Sequence, residues 1–402
     1  GGGQPTVESV VIQDGNAAAL GGGPDGQDGG GNIYIARASA VFSNTEIVAG
    51  GGYYGGAIFL LESTAQIVTS TLRANKATTG GGIFALRSGA IISDSIFDGN
   101  GATGDGGGIF LSHSPARIEA STFKKNEAQT AGGAIFLDSS GATIVGNRFT
   151  DNKAESAGGV YLDVSPATVE LNLFQANKAQ NAGGLMASRS PATINGNRFL
   201  LNEGLNGGGV YVEFSDARVT NNLLISNTAT SSGSGIFVQA SDLKFYHNTL
   251  VYNSGGDGSA FYVGNIGPDS SAIDFKNNIV AHQQTGILIR PGNRATADGN
   301  FWFTNQTDVS ALDSFTEGST RFTEDPRFVS PEKLDFHLTS QSPAINVALA
   351  TDVTADFEKQ PRPTDSGPDV GADEYYAPDM SLASTMTPDP ALAGSEASFT
   401  FQ

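Results

Sequence analysis

Apolar residues in this chain fall in short runs separated by Gly, Asn, Ser and Pro, and the runs return every 25 or 26 residues. A Gly-Gly pair followed by three apolar residues opens each period: GGAIFL (55–60), GGIFAL (81–86), GGIFLS (107–112), GGAIFL (132–137), GGVYLD (158–163), GGLMAS (183–188) and GGVYVE (208–213). Later in each period Phe97, Phe123, Phe149, Phe174 and Phe199 precede by three residues Asn100, Asn126, Asn152, Asn177 and Asn202; Leu72 with Asn75, Leu224 with Asn227 and Leu250 with Asn253 extend the series. Between these two landmarks stands Ser-x-Ala-x-Ile or a near variant, beginning at Ser63, Ser88, Ser114, Ser140, Ser165, Ser190 and Ser215. The runs alternate and are rich in β-branched and aromatic residues, the residues between them are turn formers, and nothing sustains a helical period, so each repeat predicts three short strands joined by tight corners. A repeat this short is one coil of a solenoid. The predicted fold is all-β: a right-handed parallel β-helix of three sheets and about ten coils.

Residues at the same position of successive coils then lie about 4.8 Å apart. Phe97 to Phe199 predict an internal aromatic column, each ring contributing about 1.5–3 kcal/mol by burial. The Asn75 to Asn253 column predicts a corner where each side-chain amide bonds its counterpart in the next coil. A residue that recurs in every coil marks structure, not one active site.

Four regions follow. Residues 1–29 read as an irregular first coil with a Gly-rich insertion; 30–290 as the β-helix, its glycine pairs decaying at Gly235 and lost at Ser259-Ala260; and 291–376, with Trp302 and most of the Pro, as a cap closing the end of the core. Residues 377–402 alternate like the start of an Ig-like β-sandwich, or a linker to a further domain, to be completed elsewhere. The chain opens on Gly1, which predicts processing or truncation of an earlier start. Acidic residues exceed basic ones by 41 to 22, a net charge of −19, which argues against nucleic acid or an anionic membrane surface as partner. No apolar run is long enough to span a bilayer, and the absence of Cys leaves the redox compartment unread.

GGAIFL with FKKN (123–126) or FTDN (149–152) resembles the repeats of polymorphic outer membrane proteins and of bacterial right-handed β-helix repeat surface proteins, over about two-thirds of the chain. SPAIN (342–346), DFEKQPRP (356–363) and DVGADEY (369–375) resemble the closing motif of choice-of-anchor Q surface proteins. These resemblances imply a pectin lyase-like fold and an extracellular or cell-surface setting. That fold serves lyases, hydrolases, adhesins and fibres alike, so function must be argued from the site.

Two candidate sites present themselves. The pair after the first strand of each coil places Arg87, His113, Asp138, Asp163, Arg189 and Glu213 on one patch five coils tall. In polysaccharide lyases of this fold a Lys or Arg acts as base beside acidic calcium ligands, so Arg189 or His113 is the candidate base and Asp138, Asp163 and Glu213 are candidate cation ligands. The competing reading is a solvated face on which opposite charges alternate. The second candidate is the residue between the aliphatics of the first strand: Phe59, Phe84, Phe110, Phe136, Tyr161, Met186, Tyr211, Phe237 and Tyr262. With Ile58 and Leu60 inward, alternation turns this column outward as an exposed stripe able to stack on glycan or pack on a neighbouring protein; the opposite register is the alternative.

No cofactor is implied. Calcium is left open by Asp25, Asp28, Asp105 and Asp257, although no EF-hand or repeated-Asp nonapeptide occurs, and His113, His247, His282 and His337 share no zinc spacing. No Walker motif, dinucleotide fingerprint or nucleophile elbow appears. The reading that follows is a secreted or surface-displayed structural or adhesive protein that associates with itself, with other surface proteins or with glycans, with filaments or arrays as one form. The alternatives are a polysaccharide lyase or hydrolase, or a non-catalytic glycan-binding module, using a groove on one sheet.

Overall fold

The computed structural model describes residues 5–17, 28–311 and 314–376. It is a right-handed parallel β-solenoid. One coil shows the plan: Ile58–Leu61 belongs to sheet I, Thr64–Val68 to sheet II, Thr71–Arg73 to sheet III and Lys76–Thr79 to sheet IV. Sheets I, II and III hold twelve, thirteen and thirteen strands. Sheet IV, absent from the three-strand reading, is shorter: four strands from Gly51–Tyr54 to Glu127–Ala128, then Glu203–Asn206 paired with Thr228–Ser232. Equivalent residues pair coil to coil, as in Ile58 with Ile83 and Phe59 with Phe84.

The core is a stack of identical layers. Phe97, Phe123, Phe149, Phe174 and Phe199 are fully buried, with ring centroids 4.7–5.0 Å apart and planes within 17°. Ile and Leu of sheet I and Ile and Val of sheet II close around them.

Each of three corners is made by one residue in the left-handed backbone region followed by one whose side chain serves the neighbouring coil. His113, Ala120 and Lys125, at φ 50°, 48° and 55°, precede Ser114, Ser121 and Asn126. The Ser114 amide donates to Ser140 Oγ at 2.9 Å, that of Ser121 to Asn147 Oδ1 at 2.9 Å, and that of Asn126 to Asn152 Oδ1 at 3.0 Å. The Asn75 to Asn253 ladder is continuous, side-chain amides included. The glycine pairs have a steric cause. A Cβ on Gly133 would stand 2.4 Å from the carbonyl oxygen of Gly158 in the next coil, so only glycine lets the backbones of successive coils meet there.

The solenoid does not stop at 290. Strands Arg294–Asp298, Asn300–Phe303, Thr307–Ala311, Phe315–Glu317 and Arg321–Phe322 continue it. Residues 323–376 then turn back and lie along the outer face of sheet III rather than over its end. The cause is apolar. From Leu223 onward sheet III turns hydrophobic residues outward, and Leu223, Ile225, Val251, Ile279, Ala281 and Phe301 pack with Phe336, Leu338, Ala344, Phe357, Val370 and Ala372 of this strap. Its polar anchor is Arg362, fully buried with Glu374 at 3.2 Å, donating to the carbonyls of Gly371 and Ala372 at 3.1 Å and touching His247 Nδ1 at 2.9 Å. The expected Ig-like strands at 377–402 lie outside the described residues.

Candidate functional site

The aromatic column of sheet I faces outward, as alternation requires, but it is not an exposed stripe. Phe59, Phe84, Phe136, Tyr211 and Phe237 are buried, and Phe110, Tyr161 and Tyr262 are half-buried. Two causes act together. The rings stack on one another, Phe84–Phe110–Phe136–Tyr161 at 5.0–5.1 Å with planes within 4°, and the glycine turn folds against their bases: a Cβ on Gly106 or Gly132 would lie 2.8 Å from the Cβ of Phe110 or Phe136. Ring faces already covered by neighbouring rings are not available to a sugar, which stacks on a face. Met186 interrupts the column, and Ala157 and Ala182 fill the turn beside it.

The charged patch is a ridge at the corner between sheets I and II, and its members are held by side chains beside them. Arg87 holds Glu62 at 3.0 Å, Arg189 pairs with Asp163, and Asp138 accepts from Ser112 Oγ at 2.8 Å and Ser139 Oγ at 3.0 Å. Glu213 accepts from Ser188 Oγ at 2.9 Å, and His113 Nδ1 lies 3.1 Å from Ser112 Oγ. Arg87 and Glu213 stand five coils apart, about 24 Å at the spacing of strands, so the six do not converge on one bond. Nearby, burial first and the Glu213 charge second push the Tyr211 hydroxyl up, and burial does the same to Tyr161.

Two clefts lie elsewhere, on the outer face of sheet II. One of about 670 Å³ is floored by two in-register columns: Thr64, Gly89, Pro115, Gly141, Pro166 and Pro191, and beside them Gln66, Ile91, Arg117, Thr143, Thr168 and Thr193. The small and ring-closed residues of the first column leave the depression; the second presents hydroxyls. The same two columns run on through Asp216, Asp242, Arg218, Lys244 and Asp274 into a second cleft of about 690 Å³, which Arg294 and the strap's Asp352 also line. Two further clefts flank this face, one at Arg37, Glu62 and Arg87, the other at Phe214, Asp216, Pro268 and Arg294. Sheet II thus carries one extended groove parallel to the solenoid axis. A smaller cleft on sheet IV lies between the ion-paired residues Glu127, Lys153 and Lys178.

The fold defines a parallel β-helix repeat protein. Segments 25–182 and 88–265 match the family described as periplasmic copper-binding protein (NosD), together more than half of the chain, and the chain belongs to that family. No curated protein sequence matches it. Among solved structures it is similar to pectate lyase Pel9A, with a TM-score of 0.30, 11% identity and coverage of 84% of this chain and 88% of that one. It is also similar to a PL6 alginate lyase solved with a trisaccharide, with a TM-score of 0.28, 10% identity and coverage of 85% and 87%. Neither likeness bears on activity.

Among the described residues the donor chemistry does not fit copper. The chain has no Cys, and among the described residues no three His, Asp or Glu side chains are placed to hold an ion. Both ring nitrogens of buried His247 are engaged, Nδ1 by the Asp369 carbonyl at 3.1 Å and Nε2 by Thr351 Oγ1 and Asn277 Nδ2 at 3.1 Å. His282 stacks on Tyr252 at 4.7 Å, His337 holds Asp335 at 2.5 Å, and His113 Nδ1 meets Ser112 Oγ on the ridge. Of the aspartates weighed for calcium, Asp257 accepts from Ser259 N and Oγ within its own turn, Asp105 is held above its usual range by burial, and Asp25 lies outside the described residues.

Proposed function

We propose that this protein is an adhesive scaffold outside the cytoplasm, which holds an extended glycan along the outer face of sheet II without cleaving it. The carrying observation is the alignment of two clefts on that one face, along the axis and in register with the coils, with two more at its edge. A polymer lying across the strands meets the same pair of columns at every coil, with hydroxyl donors at Thr143, Thr168 and Thr193. Rigid, preformed clefts with a few convergent polar groups suit recognition of this kind. The self-satisfied ridge favours holding over turnover. The family's description as periplasmic supports a place outside the cytoplasm, and the resemblance of DVGADEY to a surface-protein closing motif favours display at the cell surface.

The test is an immobilised glycan panel with product analysis, run on the native chain and on the Thr143→Gln/Thr168→Gln double variant, which fills the groove with neutral side chains. The reading expects capture of extended glycans by the native chain, capture lost in the variant, and no shortened products. Capture unaffected by the variant, capture of nothing, or the appearance of products overturns it.

A further inference from the structure

We infer that the charged end of the sheet II groove is a carboxylate subsite, built on Arg218 and Lys244, that takes an acidic sugar unit of the bound glycan and is occupied in this conformation by the chain's own Asp352. This rests on the reading of the groove as a glycan site.

Along the second floor column the side chains are neutral through Thr143, Thr168 and Thr193, and then become Arg218 and Lys244 on adjacent strands. The Arg218 guanidinium lies over the Tyr246 ring at 5.8 Å, which limits its orientations. Its fork grips Asp352 with two bonds, Nη1 to Oδ2 at 3.0 Å and Nη2 to Oδ1 at 2.7 Å. These hydrogen bonds, with the attraction of Lys244 added, hold the Asp352 carboxyl below its usual range. Such a two-bond fit is the geometry by which arginine selects a carboxylate over a hydroxyl.

The occupant is weakly tied. Asp352 comes from the strap, not from the solenoid, and its side chain is 64% exposed against 28% for Arg218. An exposed partner of this kind contributes little to stability. A ligand carboxylate entering the same fork replaces both bonds while Arg218 stays where it is. The neighbouring acids do not already neutralise the pair. Asp274 is held by the Tyr246 hydroxyl and by Lys276 at 3.1 Å, and Asp216 and Asp242 stand in the adjacent column, where they repel an anion misplaced toward the corner and leave the Arg218–Lys244 column as its seat.

The experiment compares binding of oligogalacturonate with that of its methyl ester, a pair that differs in carboxylate charge on one backbone. The native chain binds the acid about tenfold more tightly than the ester, the return expected from one charge-assisted two-bond contact. Arg218→Gln removes that preference, Arg218→Lys restores part of it, and Asp352→Asn tightens acid binding several-fold while leaving the ester unchanged. Equal binding of acid and ester by the native chain, or Asp352→Asn weakening acid binding, overturns the subsite and leaves the groove reading standing. Binding of neither form overturns both.

Discussion

Asn152→Ala tests whether the corner ladders or the apolar core hold the coils in register. Asn152 is fully buried. Its Oδ1 accepts from the backbone amide and the side chain of Asn126, both at 3.0 Å, and its Nδ2 donates to the Phe123 carbonyl and to Asn177 Oδ1, both at 2.9 Å. After truncation the Asn126 side chain keeps Phe97 O and Asn177 Oδ1 keeps the residue-152 amide. The Asn126 N–H loses its bond outright, while the Phe123 carbonyl loses the Asn152 amide but keeps its place in the ladder with Arg148–Thr150. At about 1–3 kcal/mol for the buried N–H left unsatisfied and about 1 kcal/mol for the second bond lost by the carbonyl, the loss is about 2–4 kcal/mol. Asn152→Ser is the internal control, because the chain itself passes from Ser121 to Asn147 in another ladder and a serine hydroxyl serves the same amide there; it should recover about half. Urea unfolding followed by circular dichroism gives the totals, and hydrogen exchange shows whether the loss is centred on coils 123–177, as nearest-neighbour stacking requires. A loss below about 0.5 kcal/mol, or serine as damaging as alanine, would refute the reasoning.

Two further outcomes are expected. Val164 is a β-branched residue at φ 50° and 48% exposed, a conformation that costs about 1–2 kcal/mol; Val164→Asn, which tolerates it, should raise the urea midpoint by about 1 kcal/mol of stability, and an unchanged or lower midpoint counts against that account. In the strap, burial raises Asp369 to about 7 and Asp373 to about 6 from an ordinary 3.8. Both therefore bind protons more tightly folded than unfolded, and their contribution is full below about pH 4 and lost as pH rises through 6 and 7. Burial, with Arg362 adding, lowers His247 and opposes this at the acid end. Thermal stability should fall from pH 5 to pH 8, with a shallower slope in Asp369→Asn; an equal slope in both proteins contradicts the assignment.

Coil repetition made much of this fold legible, because a position that meets the same neighbours in every coil keeps the same chemistry. That is why the Phe97 to Phe199 column and the Asn75 to Asn253 ladder could be read from letters alone. Where chemistry drifts, the pattern fades. The middle ladder changes from Ser121 to Asn147 partway and passed unread, and sheet IV consists of short polar pieces such as Lys76–Thr79 without alternation. The last coils vary in length, with ladder partners Asn248 and Asn278 30 residues apart and Asn278 and Asn300 22 apart, which hides the period beyond 290. The strap did leave a trace: Leu223–Ile225 and Ile279–Ala281 are apolar without alternation, the mark of a strand covered on both faces. The groove was harder to see, since in Ser-x-Ala-x-Ile the recurring letters face the core and the variable ones, such as Pro115 and Arg117, make the floor. Alternation gave the direction of the Phe59 column but not its cover, because the turn that buries it is a contact between two corners.

The strap also makes the two ends of the solenoid unequal in how they come apart. It spans from Arg198, whose guanidinium meets the Phe357 ring at 5.0 Å, to Phe301 and Phe322, so the later coils are bolted together lengthwise by a segment that belongs to none of them. Sheet III of the earlier coils shows water Arg73, Asp98 and Lys124 instead, and there each coil is held by the next alone. Unravelling therefore begins at the amino-terminal coils and halts where the strap begins, and the charged end of the groove sits on the half that unravels last.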